Sequence, residues 1–278
     1  MTNGSVRAVV LLLGCAAGLA GCDSDTGGRA VTLELALASA PAPGESRPGV
    51  FTTSTGWDVT LTEAFIGLGP IYAYADPGAG MASTRSRRPS PLDEVMELVV
   101  PTARAHSGFD PLSGRTVRAE YLDQVAFDAL AEAPTSVGPI DGEAGHAASV
   151  TVVLDAPRGA LASADGALHA HQAWVVGSAS RDGTTVEFEG GLDLPDDGLV
   201  RRIDGVPLSA DIDDGGRLTL AIHLLEWLDH AQLDALTERA ESGRMSIDRA
   251  SQVRNAWYLG ARDANAFTAT WTPAGGGI

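Results

Sequence analysis

Two histidines separated by one residue, His169 and His171, are the residues best spaced for metal chemistry. Their surroundings predict a strand, on which residues i and i+2 point to the same side, about 7 Å apart. Two imidazoles so placed can share one metal ion. His223 is predicted on another strand and supplies a third nitrogen if the two strands are neighbours. Three imidazoles suit Zn²⁺ or Cu²⁺; the alternative is that all three are ordinary surface histidines.

Other polar residues give weaker indications of a site. His106 and His146 lie in glycine-containing stretches, and each is either an extra ligand or a surface side chain. Acidic residues are concentrated between Glu187 and Asp214, where carboxylates would suit Ca²⁺. The loop that begins at Asp211 departs from the EF-hand pattern because its fifth position is glycine. A turn between solvated strands explains these acids better.

No motif with a recognisable catalytic mechanism occurs in the sequence. Gly-x-Ser-x-Gly and His-Glu-x-x-His are both absent, and a Ser-x-x-Lys site is excluded because the chain has no lysine. A Ser/His/Asp triad or a pair of carboxylates would have to assemble from residues distant in the chain. The sequence therefore predicts no enzyme, and a hydrolase with a dispersed site is kept as an alternative.

The composition describes an acidic protein with a substantial core. The 278 residues include 36 acidic side chains and 19 basic ones, all arginine, for a formal net charge of −17. Such a surface disfavours nucleic acid, which needs Lys and Arg at its phosphates, and basic-patch docking to anionic lipid. With 44% hydrophobic residues, the chain can bury a large core.

The N-terminus has the pattern of a signal peptide followed by a lipidation site. The apolar run from Ala8 to Ala20 is shorter than the roughly twenty residues of a spanning helix but long enough for a signal peptide. The sequence Leu19-Ala20-Gly21-Cys22 resembles the lipobox of bacterial lipoproteins at all four positions. The resemblance implies cleavage before Cys22, acylation of that cysteine, and a lipid-anchored place in the bacterial cell envelope, facing the periplasm or the cell surface.

This resemblance divides the chain into three parts: signal peptide 1–21, tether 22–29 and a single domain 30–278. Cys15 leaves with the signal peptide and lipidation consumes the Cys22 thiol, so the mature chain has no free thiol. Cysteine nucleophiles and thiolate metal ligands are thereby excluded. The membrane is a predicted partner through the acyl chains, and a protein partner in the envelope is left open.

Alternating apolar residues predict strands along most of the domain. About nine strands are expected: 31–37, 57–68, 71–75, 148–155, 170–180, 184–192, 208–212, 217–225 and 266–272. Gly67 and Gly69 mark a place where the second strand either bends or continues. Asp182-Gly183 predicts a hairpin turn. The segment Tyr121 to Ala131 has near-helical spacing of apolar residues.

Two helices are predicted near the C-terminus. Asp229 is placed as an N-cap for a helix that ends at Gly243. A second helix runs from about Ile247 to Leu259 and is stopped by Gly260. The fold class expected is therefore mainly β, an antiparallel β-sandwich with about two helices near the C-terminus.

Three stretches carry a second resemblance: Gly56 to Leu68, His223 to Asp229, and Asn265 to Trp271. They resemble strand patterns of uncharacterised bacterial envelope lipoproteins and are similar to the MbnP-like domain, a periplasmic β-sandwich associated with copper handling. The resemblance implies a sandwich fold and a metal-related role in the envelope. No ligand set carries over residue by residue.

The sequence thus predicts a lipid-anchored envelope protein that binds Cu or Zn through His169, His171 and His223. One alternative is a structural or assembly lipoprotein without a small ligand, whose acidic surface docks a basic partner. The other is an envelope hydrolase.

Overall fold

The computed structural model describes residues 29–77, 109–110, 114–155, 168–195 and 200–275. Within these ranges the chain forms fourteen strands and two α-helices. The strands are β1 (Ala30–Ser39), β2 (Val50–Thr52), β3 (Asp58–Tyr74), β4 (Phe109–Asp110), β5 (Arg115–Tyr121), β6 (Val125–Asp128), β7 (Thr135–Glu143), β8 (Gly145–Leu154), β9 (Ala173–Arg181), β10 (Thr184–Leu192), β11 (Arg202–Ile212), β12 (Arg217–Ile222), β13 (Met245–Ser246) and β14 (Phe267–Thr272). The helices are α1 (Leu224–Leu228) and α2 (Gln252–Ala261). The predicted mainly-β fold with two helices near the C-terminus is confirmed.

The described strands belong to one large mixed sheet. Its hydrogen-bonded order is β13-β10-β9-β3-β5-β7-β1-β12-β14, while β2, β6 and β8 pair with β3, β11 pairs with β8, and β4 pairs with β5. The pairs β1–β12 and β10–β13 are parallel, and the other pairs of described strands are antiparallel. Along this order, β9 and β12 are separated by β3, β5, β7 and β1.

Strand β3 organises the sheet because it changes neighbours along its length. Residues 58–66 pair with β9, and residues 71–74 pair with β5 and β8. The register with β8 shifts between Leu68 and Ile71. Gly69 lies in this interval with a φ of 122°, and a Cβ atom there would overlap the carbonyl oxygen of Asp123. Glycine at position 69 therefore allows β3 to continue from its pairing with β9 to its pairing with β5 and β8.

Alternate residues of the strands meet in one hydrophobic core. Val31, Leu33, Leu35 and Leu37 of β1 are all buried, as their period-two spacing predicts. They join a cluster that includes side chains from β3, β8, β9, β11 and β12. Complete burial of a side chain of this size stabilises the fold by about 1.5–3 kcal/mol.

The first predicted helix is wrong in its position. Helix α1 begins directly after His223, inside the segment predicted as a strand, and ends at Leu228. The Asp229 carboxylate accepts the backbone N–H of Ser54 at 2.6 Å, so it does not cap a downstream helix. Between Asp229 and Gly243 the structure has one 3-10 turn, Leu233–Ala235.

Two further predictions about local structure are corrected by tertiary contacts. Gly260 lies within α2 and does not stop it. A glycine is required there because a Cβ atom would overlap the carbonyl oxygen of Glu226, and its absence allows α2 to pack on α1. The α2 helix begins after Ser251, whose Oγ accepts the N–H of Arg254 at 3.1 Å. The near-helical segment Tyr121–Ala131 contains strand β6, which pairs with β3.

Several predicted features lie outside the described residues. These are the signal peptide, the lipobox with Cys22, and His106. Among the helices of the described ranges, none is long and apolar enough to cross a membrane. The domain boundaries and the lipid anchor therefore stay predictions.

Candidate functional site at the start of strand β9

The two closely spaced histidines lie in a turn and not on a strand. Strand β9 begins at Ala173, after both of them. His169 has a φ of 47° and Ala170 a φ of 67°, so two successive residues other than glycine adopt the left-handed conformation. That conformation costs an L-residue about 1–2 kcal/mol. The prediction that His169 and His171 share one side of a strand is therefore wrong, although each ring contacts Trp174.

Hydrogen bonds hold this turn on both sides. The N–H of His171 donates to the carbonyl oxygen of Leu168 at 2.8 Å. The buried Gln172 accepts the N–H of Leu194 through its Oε1 at 2.8 Å, and its carbonyl oxygen accepts the N–H of Gly67 at 2.7 Å. A strained backbone conformation persists where contacts with the surrounding structure hold it in place. These hydrogen bonds hold the turn at His169 and Ala170 in that way.

Both imidazoles pack against the indole of Trp174. The ring centroid of His169 lies 4.4 Å from that of Trp174, and the ring of His171 stacks at 5.6 Å with an angle of 16° between the planes. Ala173 and Val175, on either side of Trp174, belong to the hydrophobic core, whereas Trp174 does not. The three rings therefore form a cluster on the face of β9 that points away from the core.

A glycine on the neighbouring strand makes room for His171. Gly191 of β10 is paired with Trp174 across the hairpin. A Cβ atom built on Gly191 would overlap the His171 imidazole, and the three atoms nearest to it all belong to that ring. The imidazole therefore occupies the space that a side chain at position 191 would fill.

Asp193 fixes the orientation of the His171 ring. Nδ1 of His171 lies 2.6 Å from Oδ1 of Asp193, and Nη2 of Arg249 lies 3.1 Å from Oδ2. Partial burial raises the pKa of Asp193, but hydrogen bonds from His171 and Arg249 outweigh it and hold this pKa below its ordinary value. The carboxylate is thus ionised at neutral pH and can only accept. Nδ1 of a neutral His171 must then donate, which leaves the lone pair on Nε2.

Among the described residues, the Trp174 side chain shares one feature with Trp57, Trp227 and Trp257: a buried indole N–H without a hydrogen-bond partner. Leaving such a donor unpaired typically costs about 1–3 kcal/mol. The sequence did not distinguish Trp174 from the tryptophans of the core, and it placed Asp193 in a solvated acidic stretch. Only the long-range contacts with His171 show that both belong to this cluster.

His223 lies in another part of the fold. It is the N-cap residue directly before α1, and its Nε2 is 2.6 Å from Oγ1 of Thr268. Burial lowers the pKa of His223, and the charge of Glu226 opposes this effect only in part. The strands β9 and β12 are not neighbours, so the condition under which His223 would join His171 is not met.

The remaining candidates do not extend the cluster. His146 stands at the beginning of β8, with its Nδ1 3.2 Å from Oδ1 of Asp211. Within the described ranges, no group of three or more His, Cys, Asp or Glu side chains is placed to hold a metal ion.

One serine lies beside a histidine and an aspartate but lacks the geometry of a catalytic triad. Oγ of Ser54 is 3.1 Å from Nδ1 of His230. Oδ2 of Asp229 is 3.5 Å from the same nitrogen. In a triad the base contacts the serine and the aspartate through its two different nitrogens, so this arrangement does not favour the hydrolase alternative.

Comparison with known proteins gives one weak likeness. No protein-family model matches the chain, and no curated protein matches it. Among solved structures the chain is similar to MbnP from Methylosinus trichosporium, with 11% sequence identity and a TM-score of 0.37. The similarity covers 83% of this chain and 87% of that chain.

Proposed function

We propose that this protein is a lipid-anchored binding protein of the bacterial cell envelope. The lipobox Leu19-Ala20-Gly21-Cys22 carries this proposal, because it matches the lipoprotein pattern at every position. Acyl chains on Cys22 would contribute about 0.8 kcal/mol per buried CH₂ to membrane binding, and more than one chain is needed for a stable anchor.

The anchor is tested by following the fatty acid. We expect the chain expressed in a bacterial host to incorporate labelled palmitate and to fractionate with membranes. Cys22→Ser should lose the label and the membrane fraction, whereas Cys15→Ser, which changes only the predicted signal peptide, should keep both. Label that persists in Cys22→Ser would contradict the proposal.

We further propose that the bound ligand is a divalent transition metal ion, Cu²⁺ or Zn²⁺, held by His169 and His171. The observation that carries this proposal is that the strained turn at His169 and Ala170 places the imidazoles of His169 and His171 in contact with the indole of Trp174. Neutral imidazole is a good ligand for both metals, and lipidation leaves no competing thiolate. Two side-chain nitrogens leave further coordination positions for water or a bound partner. His223 is not part of this proposed site.

Metal content is the first measurement for this proposal. The full chain, purified without a histidine tag, is equilibrated with Zn²⁺ or Cu²⁺ and analysed for metal by elemental analysis. We expect near-stoichiometric metal in the wild type and little in the His169→Ala/His171→Ala double variant. His146→Ala removes an exposed histidine elsewhere and should keep the metal. Equal metal in the wild type and the double variant would refute the site.

A further inference from the structure

We propose that Asp193 is the positioning residue of this site, because it holds Nδ1 of His171 so that Nε2 is presented to the metal. This inference rests on the proposed metal function. The carboxylate has no proton to donate, so the 2.6 Å contact requires the proton on Nδ1 of His171. Imidazoles that bind metals commonly use one nitrogen for the metal and the other for a carboxylate.

Asp193 is itself held in place by two arginines from a different part of the chain. The backbone carbonyl oxygen of Asp193 accepts a hydrogen bond from Nη2 of Arg254 in helix α2. The Oδ2 atom of Asp193 accepts a hydrogen bond from Nη2 of Arg249, whose side chain is 83% exposed. An exposed ion pair contributes little, so we expect Arg254 to fix the backbone and Arg249 to make a minor adjustment.

The imidazole of His171 is also confined by Trp174 and by the backbone of Gly191. Trp174 stacks on the ring of His171. Because Gly191 has no side chain, the His171 ring fits against strand β10 at that position. Asp193 follows Gly191 by two residues, so one short segment supplies both the space for the His171 ring and the hydrogen-bond acceptor for its Nδ1. Such confinement leaves a ring with a single orientation, which is the requirement for a preorganised ligand.

Loss of a carboxylate partner of a metal-binding histidine typically weakens metal affinity by about 10- to 100-fold. Asp193→Leu removes both the charge and the acceptor, and we expect a loss of this size for Zn²⁺. Asp193→Asn keeps an oxygen that can accept from Nδ1, so we expect a smaller loss. Arg249→Ala should change the affinity by less than about threefold, because that ion pair is exposed.

The test uses the full chain without a histidine tag, with Zn²⁺ alone as the probe. The dissociation constant is measured by competition with a chelator. The tautomer of His171 is measured in the metal-free protein from ¹⁵N–¹H correlations of labelled histidine. We expect the Nδ1–H tautomer in the wild type and predominantly the Nε2–H tautomer in Asp193→Leu. A role confined to stability would leave this tautomer unchanged.

A matched control removes a carboxylate at the opposite end of the same hairpin. Asp182 lies in the β9–β10 turn, is exposed, and has a φ of 52°, which asparagine tolerates. Asp182→Asn should leave the dissociation constant and the tautomer at their wild-type values. It has the same change in net charge as Asp193→Asn.

The outcomes separate this inference from the function on which it rests. If the wild type binds Zn²⁺ through His171, but Asp193→Leu and Asp193→Asn both keep its affinity and tautomer, the positioning role is wrong and the metal function stands. If the wild type does not bind Zn²⁺, both fail. If Asp193→Leu does not fold, Asp193→Asn decides through its dissociation constant, and an unchanged wild-type value would overturn the positioning role.

Discussion

Adding one methyl group at Gly191 should displace the His171 ring. The three atoms nearest to a Cβ at this position are Cδ2, Cγ and Nδ1 of His171. Overpacking of a filled site costs about 1–3 kcal/mol. The displaced ring would also lose its hydrogen bond to Asp193. Because that contact is partly exposed, we expect its loss to add little to the destabilisation. We therefore expect Gly191→Ala to lower the free energy of unfolding by about 2 kcal/mol.

The decisive measurement is a double-mutant cycle with His171→Ala. Once the imidazole is absent, the space beside Gly191 is free, and alanine in a strand is better than glycine by about 0.5–1 kcal/mol. Gly191→Ala should thus destabilise the wild type and slightly stabilise His171→Ala, a coupling of about 2.5–3 kcal/mol. Urea unfolding followed by far-ultraviolet circular dichroism gives all four free energies.

Gly190→Ala is the matched control in both backgrounds. A Cβ atom at Gly190 would lie 2.6 Å from Cβ of Ile247, and its three nearest atoms all belong to Ile247. Its cost should be the same with and without the imidazole. The reasoning is refuted if Gly191→Ala costs the same amount in the wild type as in His171→Ala.

Three further predictions concern the turn, a buried ion pair and pH. Ala170→Gly should raise the free energy of unfolding by about 1 kcal/mol, because Ala170 has a φ of 67°; a lower urea midpoint would show that the residue is not strained. Arg201→Met should lower it by about 3 kcal/mol, since Nη1 of Arg201 is 2.6 Å from Oδ1 of Asp155 in a nearly buried pair, and adding Asp155→Leu should recover much of the loss in the same urea assay. Because burial holds the pKa of His223 below 6.5, the unfolded chain takes up this proton first, so stability is present above about pH 6.5 and falls below it. His223→Gln should flatten this fall in urea midpoints measured from about pH 7.5 to about pH 5.5; an equal slope in both proteins would contradict the assignment.

Features that depend on neighbouring residues in the sequence were predicted best. The alternation from Val31 to Leu37 requires only that one face of a strand be buried, and all four large residues are buried. The Asp182-Gly183 turn requires two residues with positive φ, and both have it. In each case the information lies within a few residues, so no knowledge of the rest of the fold was needed.

Features that depend on distant partners were predicted less well. Asp229 has the composition of an N-cap, but Ser54, from the loop before β3, uses its carboxylate. Gly260 has the composition of a helix stop, but the nearby carbonyl oxygen of Glu226 accounts for the glycine. Capping and stop signals are local rules, and tertiary contacts override them at both positions.

The same distinction applies to the candidate site. The spacing of His169 and His171 predicts a shared strand face, but the two rings reach the Trp174 indole from a turn. Asp193 and Arg249 are separated from His171 by long stretches of sequence, and no local pattern connects them. The pairing of β9 with β10 is what brings Asp193 to the histidine.

The energetic character of the cluster is an argument for a ligand. His169 and Ala170 adopt a left-handed conformation that costs about 1–2 kcal/mol each. The rings lie on the face of β9 away from the core, so they do not offset this cost by adding to core packing. A sequence selected for stability alone would relieve the strain with glycine at position 170. Strain that is kept on a surface, with its geometry fixed by Gln172 and Asp193, is expected where that geometry serves binding.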